Sequence, residues 1–128
     1  MSQTIYTALS IKPLYAVQIL DGTKTEEYRS WKTKVRGTVL VHSSHMSRKE
    51  YTECIPDGLK PAHRKRLEDY YDDMPQGLII GSVDIVDCVE HYENGERNGY
   101  AFKLENPFAL EYQVPMKGRL GFWKTTIC

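Results

Sequence analysis

The chain has 128 residues, 41% of them apolar and 27% charged, a balance that argues against disorder and against a membrane class and suffices for one core without metal or disulfide staples. Seventeen basic and seventeen acidic residues cancel, which argues against a protein that coats duplex DNA through bulk charge, and any contact with nucleic acid must be local. No apolar run approaches the ~18 residues that a membrane span needs.

Met1-Ser2-Gln3-Thr4 lacks a charged leader followed by an apolar core, which predicts a cytoplasmic protein. Residues 4–11 place Ile5, Leu9 and Ile11 on one parity, a first strand. Residues 11–21 read as a short helix, with Pro13 suited to its first position and Leu14, Val17 and Leu20 along one side. Gly22 then supplies the left-handed stop, because glycine has no Cβ to clash at positive φ. Lys24 therefore leaves a tight turn. If residues 26–31 are extended, Glu27, Arg29 and Trp31 share one face, and same-face positions lie roughly 6.6 Å apart, within reach of a charge-assisted pair. A cation fork, an acceptor and an aromatic plane in one place suit a small planar polar ligand or a nucleotide.

Residues 32–37 form a basic turn, and the β-branched run at 38–42 delivers His42, Ser43 and Ser44 to a strand end. These can meet a base edge or phosphate, or simply turn the chain. His42 and His45 make an H-x-x-H spacing, but with no helical pattern and no carboxylate at ligand spacing they predict no metal. Two local basic patches stand out, one around Lys24, Arg29, Lys32, Lys34 and Arg36 and one at Lys60, Arg64, Lys65 and Arg66. Residues 60–73 read as a helix with a thin stripe of Leu67, Tyr70 and Tyr71, its basic end toward the N-terminus and so opposed to the macrodipole. Cys54, Cys88 and Cys128 are odd in number and irregularly spaced, which suits neither a disulfide framework nor zinc. Cys88 reads as a small buried residue and Cys128 as a surface thiol.

Residues 76–92 are the longest β pattern, with Val83, Ile85 and Val89 on one parity and Gly81 marking a bend or bulge. Asp84 and Asp87 fall on opposite faces, so at most one looks into a pocket. Asn94-Gly95 signals a hairpin, Asn98-Gly99 offers a second turn, and residues 100–104 return. Asn106-Pro107-Phe108 breaks that strand, and residues 114–124 close the chain, with Trp123 either a stacking platform or a plug.

The spacing Gly22-x-Lys24-x-x-Glu27-x-Arg29 resembles the signature of the ASCH (activating signal cointegrator homology) domains of the PUA-like superfamily. Leu9-Ser10-Ile11-Lys12-Pro13, the segments at 37–44 and 81–88, and Lys117-Gly118-x-x-Gly121-Phe122-Trp123 resemble further blocks of that family in family order. The resemblance implies a single domain over residues 1–128, of class α+β: a curved, mainly antiparallel β-barrel with a few flanking helices. Residues 46–75, the least family-like part, become a helical insertion or lid. It also implies a cleft lined by Lys24, Glu27 and Arg29 that binds single-stranded RNA or a modified nucleoside, with no cofactor and no membrane; a monomer is expected. In such a cleft Lys24 and Arg29 meet phosphate or carbonyl oxygens, Glu27 accepts from an exocyclic amine, Trp31 or Trp123 stacks, and Lys12, His42 and Ser43 add polar contacts.

A second implication is hydrolysis. Some small family members deacylate N4-acetylcytidine with a lysine-activated threonine and an assisting glutamate. Lys24 matches the lysine, but the threonine position carries Glu27. Thr25 or Thr23 must then be re-aimed, or Glu27 must act as base on water. Cleavage of single-stranded RNA by Lys24, Arg29 and His42 is a related possibility. A third reading makes Glu27 and Arg29 a buried pair that shapes a scaffold for a protein partner.

Overall fold

A computed structural model describes residues 4–127; the expectations for a leader at residues 1–3 and for Cys128 lie outside them. In chain order the elements are β1 (Ile5–Ile11), α1 (Pro13–Asp21), β2 (Glu26–Arg29), β3 (Gly37–Ser43), α2 (Arg48–Glu53), α3 (Pro61–Tyr70) with a 3-10 turn at Tyr71–Asp73, β4 (Leu78–Glu93), β5 (Glu96–Pro115) and β6 (Phe122–Thr126). No described helix is long and apolar enough to cross a membrane.

The class is α+β. Six strands form one sheet in the order β2-β5-β4-β3-β1-β6. Only β1 and β3 run parallel, and the other neighbours are antiparallel. The expected barrel is corrected: β2 and β6 remain edges, and the sheet is not closed. It is nonetheless curled, because Arg29 on β2 donates to the Ser10 carbonyl on β1 at 2.8 Å although three strands separate them in the sheet order. Trp31, just beyond β2, also packs edge-on to Phe122 of the far edge strand at 5.5 Å. Side chains join the two ends where no ladder does, since β2 is only four residues long and presents few backbone groups for pairing.

α1 begins at Pro13 and ends at Gly22, whose φ is 87° and whose N–H reaches the Ile19 carbonyl at 3.2 Å. Its buried residues are Pro13, Ala16 and Ile19, one position earlier than the expected Leu14, Val17 and Leu20. The helix has apolar neighbours on two sides. Ala16, Ile19 and part of Leu20 join the main core with Leu9, Val39, Ile85 and Phe102, while Leu14 turns toward the α2–α3 segment. The strands alternate accordingly: Ala8, Leu40, Ile79 and Trp123 bury the opposite face.

β4 and β5 are bent by bulges. Register shifts fall between Ile79 and Gly81 and between Ile85 and Asp87, among others. The second reverses parity, so Cys88 pairs with Phe102 and packs on the core while Val89 is exposed. At Gly81 a Cβ would collide with the Phe108 carbonyl, the close approach that the bulge requires. Asn94 and Gly95 take φ of 52° and 81°, as a type I′ hairpin demands. Asn98-Gly99 makes no second turn, and Asn106-Pro107 does not end the strand: both lie inside β5, the latter as a bulge with Asn106 at φ 55°.

Residues 46–75 hold α2, α3 and a small cluster of their own, Met46, Tyr51, Ile55 and Met74. α2 carries a full capping box between Ser47 and Glu50. α3 buries no residue. Its opposed charges are paired along the helix, Arg64 with Glu68 at 2.9 Å and Lys65 with Asp69 at 3.3 Å.

Candidate functional site

The curl of the sheet opens a cavity of about 1010 Å³ between the α1–β2 turn, the β1 and β3 ends and the loop from β5 to β6. Lys24, Glu27, Arg29, Lys12 and His42 all line it. Glu27 is the pivot. It is 6% exposed, and one carboxylate oxygen, Oε2, takes both Arg29 bonds, from Nε at 3.0 Å and Nη2 at 2.8 Å. Among the described residues Oε1 has only the Lys24 Nζ, 3.7 Å away, so an acceptor lone pair is left toward the cavity. Arg29 Nη2 also holds the Ser10 carbonyl, which fixes the guanidinium plane.

Lys24 sits between two aromatic faces, 5.3 Å from the Tyr15 ring centre and 4.8 Å from that of Tyr28. Cation–π attraction holds the ammonium in place without neutralising it. Burial, then the neighbouring Cys54 thiol and Glu27 carboxylate, push the Tyr15 phenol above its usual range, so it remains a neutral O–H donor. Lys12, at the rim, pairs with Glu50 of α2 at 3.4 Å and donates to the His45 carbonyl at 3.3 Å.

His42 is 1% exposed and fully engaged. Its Nε2 lies 2.6 Å from the Met116 carbonyl, which only accepts, so Nε2 carries the proton. With the proton on Nε2, Nδ1 is the acceptor for the Ser10 hydroxyl at 3.1 Å, and Ser10 accepts the Trp123 indole N–H at 3.1 Å. Trp123 is thus the plug of the two readings, 8% exposed and edge-on to His42 at 5.5 Å. Trp31, partly buried, packs on Phe102 at 5.3 Å, against the core and off the cavity wall. Neither tryptophan lines the cleft, because each sets its ring against aromatic neighbours instead.

Ser43 points the other way from the cavity, is fully buried, and donates to the Pro75 carbonyl at 2.6 Å. Thr25 lines a separate cavity with Ile19, Val83 and Asn106, and the Thr23 hydroxyl is spent on Asp21 at 2.7 Å. Lys24 borders that cavity too, but neither threonine lines the cavity that holds Glu27 and Arg29. Asp84 is bonded to Thr38 and Asn106, and Asp87 to Arg36, so neither enters the cleft.

The fourth wall was not read as part of the site. Lys117, Gly118, Arg119 and Leu120 form it, with Gly118 pressed against His42 and Ser10 so closely that a Cβ would stand 2.6 Å from each. Two cations flanking a glycine beside aromatics at the chain's end is the signal that could have found it. Tyr15 and Tyr28 were likewise missed as the pair that brackets Lys24.

A family model for the ASCH domain matches residues 9–117. Among curated proteins, Activating signal cointegrator 1 of Homo sapiens and of Mus musculus are each 26% identical to this chain over 125 and 127 residues, 91% of it and 22% of their own length. The chain therefore spans about a fifth of those relatives.

Proposed function

The chain belongs to the ASCH domain family, and from that premise we propose that its cleft binds single-stranded RNA or a modified nucleoside in the cytoplasm. The observation that carries this is the charge of the cavity wall. Lys12, Lys24, Arg29, Lys117 and Arg119 surround the single carboxylate Glu27, in a molecule whose formal charge is zero. Lys117 and Arg119 have no ion-pair partner among the described residues, whereas Lys12, Lys24 and Arg29 share Glu50 and Glu27. A phosphate has free cations on one wall, and a base edge has the Oε1 acceptor on the other. We read the whole chain as one PUA-like domain and residues 46–75 as a helical insertion beside the cleft, tied to its rim through Lys12 and Glu50.

The test is fluorescence anisotropy of a short unstructured RNA with wild type and Lys24→Ala across a salt series. Affinity should fall as salt rises, and losing one phosphate contact should flatten the log–log slope by about 0.7. Affinity that ignores both salt and Lys24 would sink the proposal.

Hydrolysis has one observation in its favour. Ser10, on the cavity wall, donates to His42 Nδ1 at 3.1 Å while His42 Nε2 is anchored to Met116, a nucleophile, base and orienting acceptor in sequence. It would supply the hydroxyl that Thr25 does not. Chromatography of N4-acetylcytidine with wild type and Ser10→Ala decides: cytidine released only by wild type supports an enzyme, and intact substrate with both rejects this route.

A further inference from the structure

Tyr28 and Arg29 line two cavities, not one. Beyond them lies a second, of about 440 Å³, completed by Ser30, His91, Glu93, Asn98 and Gly99, within the range of roughly 300–1,000 Å³ typical of small-molecule sites. Gly99 is what allows it. At φ 75° and with no room for a Cβ against the Arg29 carbonyl, it lets the start of β5 lie against the end of β2 and leaves Asn98 at the opening. The Asn98-Gly99 pair, which forms no turn, thus shapes a wall.

The ridge between the cavities has its own chemistry. Arg29 Nε and Nη2 are engaged by Glu27 and the Ser10 carbonyl, whereas Nη1 has no partner among the described residues and the side chain is 22% exposed. Next to it, the Tyr28 and His91 rings meet at a tilt of 42° with centres 4.5 Å apart. Glu93 Oε1 lies 3.4 Å from His91 Nε2. A carboxylate there makes the second cavity a poor seat for phosphate, but Glu93 and Asn98 can meet the donors and acceptors of a base edge.

We propose that the cleft binds a strand of at least two nucleotides laid across this ridge: one base in the Lys24–Glu27 cavity, the linking phosphate on Arg29 Nη1, and the next base against Tyr28 and His91 with Asn98 and Glu93 at its edge. This rests on the RNA reading above and narrows it, because the ligand class becomes an oligonucleotide and not a free nucleoside.

Calorimetric titration of the full chain with the four nucleoside 5′-monophosphates, the matching homodinucleotides and a ten-nucleotide RNA tests it, using wild type and a His91→Ala/Asn98→Ala variant. At least one dinucleotide should bind wild type about ten-fold or more tightly than its mononucleotide, the gain expected from one stacked base. The variant should lose that gain and keep the mononucleotide affinity. Equal affinities for mono- and dinucleotides, or a gain that survives in the variant, overturn the second subsite while leaving RNA binding standing. No binding of any probe to wild type overturns both.

Discussion

A Cβ added at Gly118 would stand 2.6 Å from the His42 ring and from the Ser10 hydroxyl, and neither neighbour is free to retreat. His42 is held at both nitrogens, and Ser10 is held by Trp123 and, through its carbonyl, by Arg29. In Gly118→Ala the loop must therefore move instead, carrying Lys117 and Arg119 off the wall. We expect RNA affinity to drop several-fold at constant salt while stability falls by only about 1–3 kcal/mol, the usual cost of overpacking. Anisotropy and urea denaturation on the same sample check this, and unchanged affinity would show that the loop does not contribute. At this scale the signature was legible, because Lys24, Glu27 and Arg29 fall close together in sequence and need only a turn and a strand to meet. Lys117 and Arg119 were not, because their place depends on a contact between Gly118 and a histidine more than seventy residues away.

β2 is joined by a backbone ladder to β5 alone among the described strands, and Glu26 faces Lys103 in register. Their side chains meet at 2.6 Å. The Lys103 hydrogen bond, opposed by partial burial, holds the Glu26 carboxyl below its ordinary value. A depressed carboxyl contributes stability that is present above its unfolded pKa, about 4.3, and is lost as pH falls through the lower folded value. Urea midpoints of wild type and Lys103→Met should therefore converge as pH is lowered from 6 to below 4, with wild type the more stable at pH 6. A gap that stays constant or widens toward acid would reject the pair as a support of β2. Helix and hairpin boundaries were legible because Pro13, Gly22 and Asn94-Gly95 act locally. So was α2 in principle, since Ser47-x-x-Glu50 is a capping box written in the sequence. The bulges of β4 and β5 were not: each is set by a partner strand, and one of them turns Val89 outward and Cys88 inward.

Across the molecule, burial is uneven. The sheet and α1 share a cluster of eleven buried residues and the other face of the sheet adds four more, whereas α2 and α3 rest on four buried residues, and α3 contributes none of them. Few buried contacts mean a low local opening free energy. Hydrogen exchange read by mass spectrometry should find amides of residues 61–70 exchanging well before those of β3 and β4. Equal protection would mean that the segment opens only with the whole molecule. The open sheet was the part least visible from the sequence, because alternation along strands fixes which face is buried but not whether the last strand meets the first. What does meet is different. β1 and β6 are antiparallel neighbours, with Ile5 opposite Thr126 and Tyr6 opposite Thr125, so the described chain arrives and leaves at the same edge, its ends about one strand spacing, ~5 Å, apart. Such a geometry lets a host polypeptide carry the described sheet through two neighbouring attachment points, with the turn after α1 and the loop before β6 that line the cleft lying between them in sequence.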